Sequence, residues 1–335
     1  MSQIQKALVL PEANASFAVV DKPIPSPGPD DLLIKVDATA LNPGEWKMWK
    51  VKEFARFVEQ YPTVFGVDIA GTVVRVGEGV TGFAEGDRVI TQGHFSQDRG
   101  GYQHYTLALA DFSTKIPAWL SSDEAVSIPS AVVTVGFGLY NPAPSGAGLT
   151  PPYEAGGRGK YAGKPFLVFG GASSNGQLAI QFARISGFSP IISTASPRNE
   201  ALLKSLGATH VVDRSSPNVR SDVSAITDGA PLEVIYDAVS LEETQQAAWD
   251  LLAPGGVLVL TLPPVINVEG DKSTGHRDAA KNLFAALGDW LARGDIKPNP
   301  IRVLPGGLKS VPEGLKELAE GRVSGQKLVV HPRET

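Results

Sequence analysis

The chain has 335 residues, 42% of them hydrophobic and 19% charged, with a formal net charge of -5 and no cysteine. That balance fits a folded globular chain of about two domains and excludes a disordered one. A slightly acidic chain without a basic cluster argues against a nucleic-acid partner, and the lack of cysteine excludes disulfides, thiolate nucleophiles and cysteine-ligated zinc.

The start, Met1-Ser-Gln-Ile-Gln-Lys6, runs straight into the strand-like Ala7–Leu10 with no apolar signal core. No apolar run approaches bilayer length, so no membrane partner and a cytoplasmic location are expected. Residues 4–110 read as β-rich, with short runs at Leu32–Val36, Ile69–Val76 and Arg88–Thr91 between Gly, Pro and Asp turns. Pro23, Pro25, Pro27 and Pro29 form a stiff connector. Gly77–Val80 and Ala84–Asp87 read as tight turns. A helix is predicted near Ser122, capped by Ser121 or Ser122 with Asp123 and Glu124 in its first turn.

From Ser130 onward the pattern changes. Ala131–Tyr140 predicts a helix and Asn141–Gly163, rich in Gly and Pro, an extended surface loop. Strands are then predicted at Phe166–Phe169, Pro190–Thr194, His210–Val212, Val234–Asp237 and Gly256–Leu260. Helices between them include Asn199–Leu206 and Glu242–Leu252. Such alternation means a parallel sheet covered on both faces. After Pro264 a polar stretch leads to a helix at Asp278–Arg293, then a short helix at Val311–Glu320. A last strand, Lys327–Val330, is expected to return to the β-rich body.

The turn Gly170-Gly-Ala-Ser-Ser-Asn-Gly176 follows the first strand of this alternation and opens the helix Gln177–Gly187, whose Leu178, Phe182 and Ile185 share a side. Gly171 is expected to take a positive φ, Gly176 to leave the helix mouth bare, and Ala179 to let helix and strand pack tightly. Unpaired N–H groups at that helix start suit a pyrophosphate, with Ser173, Ser174 and Asn175 as further donors. The second strand ends Ser193-Thr-Ala-Ser-Pro-Arg-Asn199 with no acid before Glu200, so a ribose-binding carboxylate is missing. Ser196, Arg198 and Asn199 are suited to hold a 2′-phosphate, and Arg214 to reach the same phosphate or stack on adenine. The expected cofactor is therefore NADPH.

A set of motifs along nearly the whole chain resembles the medium-chain dehydrogenase/reductase superfamily. They are Ala40-Leu-Asn-Pro-Gly-Glu-Trp-Lys47, Gly66-Val-Asp-Ile-Ala-Gly-Thr-Val73, Gly77-Glu-Gly-Val80, Gly86-Asp-Arg-Val89 and Gly101-Tyr-Gln-His-Tyr105, followed by Ser130-Ala-Val-Val-Thr134, Ser205-Leu-Gly-Ala208, Pro254-Gly-Gly256 and Ser324–Val330. Zinc-dependent members carry cysteine in the first motif and Gly-His-Glu in the second. Here Asn42-Pro43 replaces the cysteine region and Val67 stands where the histidine belongs, which leaves the zinc-independent quinone and enoyl reductases. The Trp46-Lys47 pair, Ser-Ala-x-x-Thr134, the Pro/Gly loop and Pro305-Gly-Gly-Leu308 look most like fungal trans-acting enoyl reductases and their ToxD-like relatives.

That resemblance implies an α/β fold, a Rossmann doubly wound parallel sheet at 131–290 plus a β-rich GroES-like domain built from 1–130 and 291–335. It implies NADPH-dependent reduction of a carbon–carbon double bond conjugated to a carbonyl, without metal, on a small substrate that is free or carrier-linked. Lys47 and Thr134 are expected beside the nicotinamide. Thr261 and Leu262 are expected at its amide, with Asn42 and Lys327 joining the cofactor-binding set. Tyr61 and Tyr102 are further proton-donor candidates, and solvent is another source. A quinone reductase, a non-catalytic NADPH-binding sensor and a synthase partner remain alternatives. Relatives are often dimers through a sheet edge, but Pro263-Pro264 and the polar segment to His276 interrupt it, so both monomer and homodimer stay open.

Overall fold

The structure is a computed structural model that describes residues 3–266 and 277–335, and its contacts divide them into two compact units. One contains residues up to Ser130, Leu287–Ala292 and Pro298–Thr335. The other contains Ala131–Ala286 and Arg293–Lys297.

The first unit begins with strands β1 (Ile4–Leu10), β2 (Ala18–Pro23) and β3 (Asp31–Ala40), followed by helices α1 (Pro43–Lys50) and α2 (Lys52–Ala55). Strands β4 (Thr63–Val64), β5 (Asp68–Val76), β6 (Arg88–Gln92), β7 (Tyr105–Leu109) and β8 (Ser113–Lys115) come next. The proline stretch is shorter than expected, because β2 runs to Pro23. That strand is an edge of the small sheet β2-β1-β4, where a missing N–H is tolerated. Both predicted tight turns form, with Val80 N donating to Gly77 O and Asp87 N to Ala84 O, each at 3.1 Å. Helix α3 (Ser122–Ala125) starts at Ser121, whose Oγ accepts from Glu124 N at 3.2 Å.

Helix α4 (Pro129–Tyr140) opens the second unit. Residues 141–163 contain neither helix nor strand, in agreement with the loop expected there. Then β9 (Phe166–Phe169), α5 (Ser174–Ser186), β10 (Ile191–Ala195), α6 (Glu200–Leu206), β11 (His210–Asp213), α7 (Val219–Thr227), β12 (Leu232–Asp237), α8 (Glu242–Leu251) and β13 (Leu252–Leu260) alternate. The sheet order is β11-β10-β9-β12-β13 and every neighbouring pair is parallel. This is a doubly wound α/β sheet, with its order reversing beside β9. Its core includes Leu167, Phe169, Ile192, Val212, Val223 and Ile235.

Helix α5 is buried almost all round rather than along one face. Gln177 and Gln181 are each 1% exposed: Gln177 Nε2 donates to Ala172 O at 3.1 Å, while Gln181 Nε2 donates to Lys297 O at 3.1 Å and its Oε1 accepts from Lys297 N at 2.7 Å. Helix α7 is an element that the sequence reading did not assign.

After α9 (Arg277–Arg293) the chain returns to the first unit with β14 (Ile301–Val303), α10 (Val311–Ala319) and β15 (Lys327–Val330). The last strand pairs antiparallel with β3, as expected, in the seven-stranded sheet β14-β15-β3-β5-β6-β8 that β7 joins through β3. The polar segment ending at His276, and with it the expected interruption of a dimer edge, lies outside the described residues, as does the Met1-Ser2 start.

Candidate functional site

In the second unit the sequence-predicted cofactor residues stand at the carboxyl ends of four parallel strands: Gly170–Gly176 follows β9, Ser196–Asn199 follows β10, Arg214 follows β11 and Thr261-Leu262 follows β13. At the same edge Asp237–Ser240, which the sequence reading did not single out, closes β12. Open α/β sheets bind ligands at this edge, beside the strand where the order reverses.

The glycine turn differs in one detail from expectation: Gly170, not Gly171, takes the positive φ, at 74°. Gly171 is required for space, since a Cβ there would stand 1.9 Å from Ser193 Oγ. At Gly176 a Cβ would meet Gly170 O at 2.3 Å, so the helix start can lie directly on the turn. Ser173 caps α5, its Oγ accepting from Gly176 N at 3.0 Å. Gly170 N donates to Thr194 Oγ1 at 3.1 Å and Gly171 N to Thr194 O at 3.0 Å, which fastens the turn to β10. Ser174 and Asn175 occupy the first turn of α5, half-buried.

Ser196 is half-buried, Arg198 exposed and Asn199 buried, in a single 3₁₀ turn between β10 and α6. Exposed Arg214 is held at the neighbouring strand end by its N–H to Ala195 O, at 3.0 Å. Asp213 precedes it, and its Oδ1 accepts from Ser215 N and Oγ, which keeps that carboxyl below the usual range. The sequence reading did not weigh this acid, because it belongs to the third strand.

The loop after β12 is tightly organised. Asp237 Oδ1 accepts from Val239 N at 2.9 Å and Ser240 N at 2.8 Å, while burial pushes its carboxyl up. Thr261 N donates to Ser240 Oγ at 2.9 Å, and buried Gln245 bridges Ser240 O, Pro263 O and Val265 N. The backbone at Thr261-Leu262 is thereby fixed. Thr134 sits exposed on α4.

In the first unit, strands β3, β5 and β15 bring a second set of polar groups together. Asp68 is fully buried, and its Oδ2 accepts from Asn42 Nδ2 at 2.9 Å, from Ser130 Oγ at 2.8 Å and from the Lys327 ammonium. Oδ1 accepts from Ser130 N at 2.6 Å, and Asn42 Oδ1 accepts from Ser130 Oγ at 3.1 Å. The side chains of Asn42 and Lys327 are thus committed to Asp68 and Ser130.

Beside this cluster Glu45, also fully buried, accepts from Asn42 N at 3.0 Å, Val67 N at 3.3 Å and Tyr102 OH at 2.5 Å. Burial pushes its carboxyl up to about 7, against those hydrogen bonds. Tyr102 is fully buried and its hydroxyl is spent on Glu45. Tyr61 is half-buried, with no hydrogen-bond partner at its hydroxyl among the described residues. Lys47, two residues beyond Glu45 on α1, lies 5.8 Å from the Trp46 ring and 5.6 Å from the Phe54 ring. Partial burial lowers the pKa of its ammonium, and among the described residues it makes no ion pair. Lys47 and Thr134 belong to different units.

The sequence matches the family described as "Alcohol dehydrogenase GroES-like domain" over residues 28–118 and "Zinc-binding dehydrogenase" over residues 176–261. It is 33% identical to a trans-enoyl reductase of Gibberella fujikuroi, over 92% of this chain and 94% of that protein. Its fold is similar to that of an alcohol dehydrogenase superfamily protein from Novosphingobium aromaticivorans, with a TM-score of 0.83 and 20% identity over 98% of this chain and 99% of that one. A quinone oxidoreductase from Coxiella burnetii gives a TM-score of 0.75 and 25% identity over 98% and 99%. The chain belongs to the medium-chain dehydrogenase/reductase family, in its quinone and enoyl reductase branch.

Zinc does not fit the residues present. Among the described residues no group of three or more His, Cys, Asp or Glu could hold a metal ion. The Asp68 carboxylate is already saturated by Lys327, Asn42 and Ser130. A dinucleotide does fit, because the space that a Cβ at Gly171 or Gly176 would fill is kept clear where the α5 amides begin.

Proposed function

We propose that this oxidoreductase uses NADPH to reduce the carbon–carbon double bond of an α,β-unsaturated carbonyl, free or linked to a carrier. The observation that carries the reading is the set of groups at the carboxyl edge of the parallel sheet. A bare glycine turn there opens α5, and Ser196 and Arg198 stand where an acid would select NADH. The similarity to a trans-enoyl reductase supports the choice of substrate.

When bound, the nicotinamide supplies a hydride to the β-carbon of the alkene. The α5 amides and Ser174 and Asn175 receive the pyrophosphate, and Ser196, Arg198 and Asn199 hold the 2′-phosphate with Arg214 beside it. Thr134 orients the nicotinamide ribose or amide, and backbone at Thr261-Leu262 meets the amide. Negative charge collecting on the substrate carbonyl oxygen needs a donor in a partly desolvated place, and the Lys47 ammonium provides one. The hydrogen bonds of Asn42 and Lys327 to Asp68 support the start of α1, so these two residues act by positioning Lys47. Tyr102 is committed to Glu45, so the proton for the α-carbon comes from water or from the Tyr61 hydroxyl.

Quinone reduction is the second reading, favoured by the similarity to the Coxiella enzyme. NADPH oxidation, with NADH as control, against a 2-enoyl thioester, a 2-alkenal and a quinone separates them. Alkene turnover with NADPH preference supports the proposal, quinone-only turnover supports the second reading, and NADH preference removes the phosphate role of Ser196 and Arg198.

A further inference from the structure

The side chains around Lys47 continue as a line on α2. Lys47 Nζ lies 5.6 Å from the Phe54 ring, the Phe54 and Phe57 rings are 6.1 Å apart, and the Arg56 guanidinium lies 5.1 Å from the Phe57 ring. Two cations thus flank two aromatic faces, at spacings where neighbours attract. All four residues belong to the first unit. The backbone beneath them is held, with Phe54 N donating to Val51 O and Phe57 N to Phe54 O, each at 3.0 Å. Phe54 packs against the core of that unit, and Val58 just beyond is buried.

The line runs outward. Lys47 and Phe54 are half-buried, whereas Arg56 is exposed and Phe57 is 53% exposed. Lys52, four residues before Arg56, adds an exposed cation on the same side of the turn. Among the described residues Lys47, Lys52 and Arg56 make no ion pair, so the nearby exposed acids Glu53 and Glu59 leave them free. Aromatic faces that end on an unpaired guanidinium suit a ligand with flat amide groups along its length and a phosphate at its end.

We propose that this line is the track of a phosphopantetheine arm, with its thioester carbonyl at Lys47, its two amides across Phe54 and Phe57, and its phosphate paired with Arg56. The inference rests on Lys47 marking the reacting end, as set out under Proposed function. From sulfur to phosphorus the arm has about as many bonds as four residues of backbone, so it extends to roughly 13–14 Å. With a hydrogen bond at Lys47 and an ion pair at Arg56 added, that length covers the three steps of 5.6, 6.1 and 5.1 Å. The substrate class is therefore a 2-enoyl thioester of phosphopantetheine rather than a free alkenal. Coenzyme A and a carrier protein both present that phosphate.

The test compares kcat/KM for the crotonyl thioesters of pantetheine, phosphopantetheine, coenzyme A and an acyl carrier protein, with crotonaldehyde as the substrate that has no arm. NADPH is kept saturating, so that the dinucleotide edge is occupied and the phosphate is not read there. The wild-type chain, Arg56→Gln and Phe57→Ser are assayed side by side. In the wild type the phosphopantetheine thioester is expected to exceed the pantetheine thioester about tenfold, through KM, the low end for a charge-assisted bond at an exposed guanidinium. That gain should shrink as salt is raised. Arg56→Gln is expected to bring the ratio to about one, and Phe57→Ser to lower both arm-bearing rates about threefold relative to crotonaldehyde.

Because each readout is a ratio within one protein, partial misfolding does not imitate the result. A wild-type ratio near one, or an unchanged ratio in Arg56→Gln, overturns the assignment. A gain over pantetheine with coenzyme A or with the carrier sustains it and names the source, and a gain with neither overturns it. If the wild type reduces no enoyl thioester at all, the function reading fails separately. Calorimetric binding of butyryl-phosphopantetheine in the presence of NADPH then decides the track: binding weakened by Arg56→Gln sustains it, and absent or unaltered binding overturns it.

Discussion

Lys327, the first residue of β15, donates its ammonium to Oδ2 of Asp68, the first residue of β5, with the two side chains 4% and 0% exposed. Asn42 and Ser130 join the same carboxylate, so the ends of two strands and the starts of two helices meet at one charge pair. The pair is a buried cation–carboxylate centre.

Removing one member should therefore be costly. Lys327→Met is expected to lose about 3–5 kcal/mol in urea unfolding, because the Asp68 charge stays buried without its cation. Adding Asp68→Asn should recover part of that loss. Strictly additive losses would show that the two groups do not interact.

Glu45 predicts a pH effect with a definite sign. Its carboxyl is held at about 7 in the folded chain against an ordinary 4.5, so the folded state binds the proton more tightly. The stability this contributes is fully present below about pH 4.5 and is lost as pH rises through about 7. Across that window the wild-type chain should lose about 3 kcal/mol more than Glu45→Gln, an order-of-magnitude figure. Parallel stability–pH curves for the two proteins would contradict it.

Gly171→Ala brings a methyl group against Ser193 Oγ and is expected to destabilise the second unit by about 1–3 kcal/mol. The Ser193 hydroxyl has no hydrogen-bond partner among the described residues, so Ser193→Ala removes the closest contact without breaking a bond and leaves the residue 193 Cβ at 3.0 Å. The double variant should recover most of the loss and much of the dinucleotide affinity, read by thermal unfolding and by NADPH binding.

Arg198→Ala is expected to weaken NADPH binding about tenfold and leave NADH binding unchanged. That magnitude is the low end for a charge-assisted bond, appropriate to an exposed guanidinium. Equal effects on both cofactors would place Arg198 away from the 2′-phosphate.

The alternation of Val- and Ile-rich runs with helical segments made the parallel sheet legible, because a strand buried on both faces leaves an unbroken apolar run. Helix α7 was missed: its Ser221, Asp222 and Ser224 resemble turn residues, and Val219, Val223 and Ile226 form only a short stripe. Gly170 and Gly171 are adjacent, and sequence alone does not say which takes the left-handed φ and which needs the space. The carboxyl edge of the parallel sheet was readable because each of these residues lies just after its own strand. The Asp68–Lys327 and Glu45–Tyr102 pairs were not, since partners 259 and 57 positions apart leave no local pattern.

The most direct test of the account is transfer of deuterium from NADPH labelled at the nicotinamide C4 to a 2-enoyl thioester, with the product read by NMR. The account predicts a saturated thioester carrying the label at its β-carbon and a solvent proton at its α-carbon. Label at the carbonyl carbon, or consumption of NADPH only when a quinone is supplied, would contradict it.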